Sequence, residues 1–245
     1  MFCFTVKGDI DTETNTGAMR QDWEQVEALA RDLGNTKWQY RALAQLGISA
    51  FYDADLETAR NNIGTALAGA TRAGDAGAEI RVLTILANGL VHSKMYEQAL
   101  PYIENAVKIA SVTPDAGYQF TAQELRIDAL IGLGQFDTAQ QIIEDVLTRA
   151  RETHRISHEA AALVLAADVA DARHDRQAAL ATLEQAIALG DAAGLTRLLA
   201  DVYARTAEIH RTNGDLENPL LVEVALCWRT GADEIGLVCG GHVER

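Results

Sequence analysis

In HRISH, His154 and His158 stand four residues apart, a spacing that lets two imidazoles share one helix face and grip a metal ion. A third ligand and a glutamate within the motif are missing, and the pair falls at a break between two helical patterns, so no metal is expected. Nucleophilic and phosphate chemistry find no support either. The chain contains no GxSxG, GxxxxGKS or GxxxxGKT, and the Gly-Gly of GLVCGGHVER lacks a strand before it and a helix after it. Cys3, Cys227 and Cys239 are far apart and form no CxxC pair, which excludes a zinc site and a disulfide framework and fits a reducing cytoplasm. Cys227 reads as a small buried hydrophobe. Single histidines such as His92 and His210 read as polar lining, and Trp23, Trp38 and Trp228 as filling for the ends of a helical stack. No catalytic residue and no cofactor are expected.

Charge narrows the partners. With 35 acidic against 21 basic residues, the 245-residue chain carries a formal charge of -14. Binding to nucleic acid draws on Lys and Arg that neutralise phosphates, so a nucleic-acid face is not expected, nor attraction to an anionic membrane. No apolar run reaches the ~20 residues that span a bilayer, and MFCFTVKGD is apolar for too short a run to read as a secretory signal.

The elements that would position any site are visible as a repeat. LETARNNIGTALAGA, YEQALPYIENAVKIA, FDTAQQIIEDVLTRA and RQAALATLEQAIALG succeed one another every 40 residues. One column holds Ala59, Ala99, Ala139 and Ala179; the next holds Ile63, Ile103, Ile143 and Leu183; then come Ala66, Ala106, Val146 and Ala186. Offsets of 4 and 3 mark one face of an α-helix, the outer helix of each unit. Asp55, Asp137 and Asp175 suit its start, and Gly74, Pro114, His154 and Gly194 its end. A second, inner helix precedes it, with columns such as Leu43, Leu83, Gln123, Leu163 and Gly47, Ala87, Ile127, Ala167. In the third unit Leu125, Ile127 and Leu130 carry the apolar face, and Arg126 occupies a column that is apolar elsewhere. The boundaries are an irregular segment 1–16, an outer half-repeat 17–34, repeats at about 36–74, 76–114, 116–154 and 156–194, an inner helix 196–213, and an atypical capping helix and tail 219–245. Pro219 in the alanine column makes the last helix late or shifted. About eleven helices are expected in one elongated domain.

GDLENP, MYEQALPYIENAVKIA and GQFDTAQQIIEDVLTRA resemble tetratricopeptide repeats, over about residues 18–218. The unit is longer than the usual 34 residues. The resemblance implies an all-α, right-handed superhelical solenoid of antiparallel helix hairpins, whose inner helices line a concave groove that holds a peptide or another protein. By spacing, the groove is basic and apolar near its N-terminal end, at Arg41, Ile48, Phe51, Tyr52 and Arg81, with the polar Asn88 in the same column as Ile48. It is acidic further on, at Glu124, Asp128, Asp168, Asp171, Asp201 and Glu208. The chaperone-type members clamp a carboxylate with Lys, Asn and Arg at such places; only Arg81 and Asn88 match, so that clamp is excluded. The acidic column is either a solvated helix face, relieved locally by Arg126, Arg205 and Arg211, or a seat for a basic peptide.

The leading expectation is a non-catalytic scaffold that binds a basic or apolar peptide or protein in this groove, in the cytoplasm. An array that opens on an outer helix looks cut, which makes a sensory or regulatory arm of a larger signalling or transcription-regulating protein the second reading. Self-assembly is the third: the unpaired helix Ala18–Leu33 exposes an apolar face that a second copy would cover.

Overall fold

The computed structural model describes residues 16–212. Ten helices follow one another: α1 (Thr16–Asp32), α2 (Thr36–Tyr52), α3 (Leu56–Ala73), α4 (Ala76–His92), α5 (Tyr96–Ser111), α6 (Ala116–Gly132), α7 (Phe136–Glu152), α8 (Ile156–Ala172), α9 (Arg176–Ala193) and α10 (Thr196–Thr212). No strand occurs among the described residues. Cys3, Cys227, Cys239, Trp228, the expected irregular N-terminal segment and the expected helix after Pro219 lie outside them.

The hydrophobic pattern repeats every 40 residues, but the turn chemistry repeats every 20. Positions 34, 54, 74, 94, 134, 154, 174 and 194 all have positive φ, between 53° and 72°. Where the full pattern of bonds is seen, the turn is a Schellman motif: Gly74 N–H donates to Thr71 C=O and Asp75 N–H to Ala70 C=O, and the same pair recurs around Gly34, Ala54, Lys94, His154, His174 and Gly194. The next residue then caps the following helix. Asn35, Asp55, Asp75 and Asp175 accept the N–H three residues on with their side chains. Met95, Gln135 and Arg155 stand at the same place with no side-chain cap. Asp137 is therefore not a cap: it lies in the first turn of α7, and its carboxylate accepts from Arg173.

Pro114 breaks the lattice. Its ring fixes φ near -65°, so it cannot take the left-handed slot. Helix α5 ends early at Ser111, Val112 is left 83% exposed, and Asp115 caps α6 by accepting from Gly117 instead.

The chain forms two compact units, Met1–Leu133 and Gly134–Arg245. In the first, each of α1 to α6 packs on its chain neighbours, and α2 also touches α4, as α4 does α6. In the second, α7 to α10 pack in sequence and α8 also touches α10. This explains two burial patterns. An outer helix buries a narrow stripe, as at Ala139, Ile143, Val146 and Ala150 in α7. An inner helix, flanked by more neighbours, buries a broad one: α4 buries Ala78, Ile80, Val82, Leu83, Ala87, Gly89, Leu90 and Val91.

Helix α1 corrects one expectation. Its apolar face is not exposed: Met19, Trp23, Val26 and Ala30 are at most 1% exposed, and the first three cluster with Ala42, Trp38 and Leu46 of α2. The N-terminal dimer loses its motive. Arg126 leaves its apolar column by turning toward α5, where its Nε lies 2.7 Å from Glu104 Oε1. No helix among the described residues is long and apolar enough to cross a membrane.

Candidate functional site

Arg41 in α2 and Arg81 in α4 occupy the same place in consecutive repeats, and contact between these helices brings them to one pocket of the first unit. The pocket holds about 180 Å3 and is lined by Lys37, Trp38, Arg41, Ala78 and Arg81. One column of the repeat contributes to its lining. Trp38, Ala78 and Tyr118 are 40 residues apart in the first turns of α2, α4 and α6. Ala78 carries a methyl group where the neighbouring repeats carry rings, and it lines the pocket.

Those rings hold the arginines. The Arg41 guanidinium carbon lies 5.4 Å from the centroid of the Trp23 ring and 5.0 Å from that of Trp38. The Arg81 guanidinium lies 5.5 Å from the Tyr118 ring, and its Nη2 donates to the Tyr118 hydroxyl at 2.8 Å. Each cation–π contact contributes about 0.5–2 kcal/mol and, more to the point here, fixes a long side chain in place. Lys37 reaches the pocket from the exposed first turn of α2. Asp75 stands nearby in sequence but is engaged as the cap of α4, accepting from Ala78 N–H at 2.9 Å.

The remaining expected residues divide. Phe51 and Tyr52 lie about 15 Å along α2 from Arg41, with their rings edge to face at 6.0 Å and 64°. Tyr52 is half exposed; burial of the rest pushes its phenol above the ordinary value, so it remains an O–H donor. Phe51 packs against the core cluster that includes Leu90 and Val91. Ile48 is part of the core rather than of an open face. It is 5% exposed, and its Cδ1 lies 2.8 Å from where a side chain on Gly89 would begin, so it is a wedge between α2 and α4. Asn88 is exposed on α4. Glu124 and Asp128 are half-buried on α6 and already engaged in polar contacts.

In the second unit the acidic column is met by arginines of the chain itself. Arg205 on α10 donates to Asp168 on α8. Arg211 donates through Nε to Glu208 at 2.7 Å, which holds the Glu208 carboxyl below its ordinary range. Asp171 stays half exposed. His154 sits at a left-handed turn position and His158 in the first turn of α8; no cluster of three His, Cys, Asp or Glu side chains fit for a metal occurs among the described residues.

Sequence reasoning found Arg41 and Arg81 but missed Lys37, Trp38, Trp23 and Tyr118. The signal was the Trp–Ala–Tyr column, in which a small residue stands between two rings. No family model matches the chain, and no curated protein sequence matches it. Among solved structures, it is similar to BtubC (BKLC) from P. vanneervenii, with 15% sequence identity, 95% of each chain covered and a TM-score of 0.65. At that identity the likeness is one of fold, an all-helical repeat array.

Proposed function

We propose that the chain is a non-catalytic binding module, of tetratricopeptide-like superhelical build and cytoplasmic residence, that holds an extended peptide or a partner helix along the inner helices. One observation carries this reading: α2, α4 and α6 touch in succession, yet their faces retain side chains that the core does not use. Tyr52 is 50% exposed, Asn88 is exposed, and the pocket between Arg41 and Arg81 stands open. A helix that served packing alone would not need guanidinium groups fixed on rings beside an open hollow. The ligand's class shifts with the structure. Asp168 and Glu208 are paired with Arg205 and Arg211, which weakens the case for a basic peptide there and favours the pocket of the first unit, which aromatic and cationic side chains line.

Panning the full chain against a displayed library of random 15-residue peptides tests this. Recovered peptides should bind saturably at one site in fluorescence anisotropy. The pair Tyr52→Ala and Asn88→Ala, both on exposed positions, should weaken them tenfold or more while the helical content of the protein stays at the parental level. No enrichment, or binding indifferent to both substitutions, would overturn the reading.

A further inference from the structure

We infer that the pocket of Lys37, Trp38, Arg41, Ala78 and Arg81 is a receptor for a phosphoryl group. Three cationic side chains converge on a hollow of about 180 Å3 in a chain whose formal charge is -14. Acids outnumber bases in this chain. Even so, among the described residues neither Lys37 nor Arg81 is paired with a carboxylate; the polar partner of Arg81 is the Tyr118 hydroxyl. Concentrating like charges around one cavity is unfavourable unless an anion enters it, since the repulsion grows as water is excluded from the space between them.

The form of the cations selects the anion. A guanidinium presents five N–H donors in a fixed planar fork that matches the oxygens of a carboxylate or a phosphate. Here both forks are held by rings before any ligand arrives, Arg41 beside Trp23 and Trp38, Arg81 beside Tyr118. Little side-chain entropy then remains to be lost on binding. Lys37 adds a third charge, as a compact ammonium whose three donors can turn to suit. A single carboxylate offers two oxygens and one charge, and would balance only one of the two charges, Lys37 and Arg81, that have no carboxylate partner among the described residues. A phosphoryl group offers three acceptor oxygens and about -1.5 to -2 charge at neutral pH. The start of α4 adds the positive end of its dipole at Ala78, partly offset by the Asp75 cap.

The inference rests on the peptide-binding reading only for the molecule that carries the phosphate. The pocket is therefore tested first with inorganic phosphate alone. Calorimetric titration of the full chain at low ionic strength should give one site per chain, with acetate at least tenfold weaker. Lys37→Gln should cost tenfold or more in phosphate affinity and, since Lys37 is exposed and its charge adds to the repulsion, should not lower the melting temperature of the phosphate-free protein. Arg81→Gln should cost at least as much, and Arg81→Lys should restore only part, because an ammonium cannot reproduce the fork. Failure of phosphate to bind, equal binding of acetate, or indifference to Lys37→Gln and Arg81→Gln would each overturn the inference. A second arm compares peptides recovered by panning with and without one phosphothreonine. Preference for the phosphorylated form that vanishes in Lys37→Gln supports both readings. Phosphate binding with no affinity for any peptide supports the pocket and overturns the peptide as its carrier.

Discussion

At position 94 a lysine does what glycine does at 34, 74, 134 and 194. Ala54, Lys94, His154 and His174 have φ of 61°, 58°, 53° and 64° in the closing turns of their helices. A side chain in this region brings Cβ too close to the following carbonyl, at a cost of about 1–2 kcal/mol, of which glycine's extra freedom in the unfolded chain recovers part. Replacing Lys94, His154 or His174 by glycine should therefore raise stability by about 1 kcal/mol each in urea melts; a loss would mean that the native side chain makes contacts there. The cap one residue on behaves differently. Asp55 accepts from Thr58, and these hydrogen bonds hold its carboxyl below the ordinary value. A folded-state pKa below the unfolded one gives a contribution that is complete above the unfolded pKa and lost as pH falls through the folded one. Asp55→Ala should be less stable than the parent at pH 7, and the gap should narrow as both are titrated below pH ~3.9. A gap that stays constant between pH 7 and pH ~2.5 would show that the ionised carboxylate contributes nothing beyond a neutral cap.

Two glycines separate what a helix prefers from what its neighbours allow. Gly47 lies inside α2, and a Cβ there would stand 2.5 Å from Ile63 Cγ1 and 3.2 Å from the Ala59 carbonyl oxygen of α3. Gly64 lies inside α3 with nothing within 4 Å of the same point. Alanine is favoured over glycine in a helix interior by roughly 1 kcal/mol. Gly64→Ala should gain about that much, whereas Gly47→Ala should lose roughly 1–3 kcal/mol because a backbone atom must move as well as a side chain. Thermal melts of the two variants should shift in opposite directions, and a stabilising Gly47→Ala would contradict the close approach of α2 to α3. The same contrast explains what was legible in the sequence. The outer stripe at 59, 63 and 66 could be read because each outer helix buries a narrow face at spacings of 4 and 3. The inner face was misjudged at Ile48 because contacts between alternate helices widen the buried arc, and spacing along one helix carries no record of them. The pocket was half legible: Arg41 and Arg81 recur at the repeat period, while Lys37 and Trp38 acquire meaning only when contact between α2 and α4 brings them to the same hollow as Ala78 and Arg81.

Within each unit, packing is between helices adjacent or next-but-one in sequence, as in stacked repeats. Stability in such a chain is nearly a sum of local terms, and a lesion should be felt most by its near neighbours. Leu183 of α9 tests this. It is 1% exposed and clusters with Leu163, Ala167, Val202 and Ile209, contributed by α8 and α10. Leu183→Ala removes that packing and leaves a cavity, at a cost of about 2–5 kcal/mol. If the two compact units open separately, native-state hydrogen exchange should quicken by roughly 30-fold or more in α7 to α10, the equivalent of at least 2 kcal/mol. Protection of Ala44, Leu83 and Ala87 in the first unit should stay at the parental level. Uniform quickening from α1 to α10 would mean that the chain unfolds as one cooperative body, and a substitution in the second unit would then weaken the Arg41 and Arg81 pocket by lowering the population of its folded form.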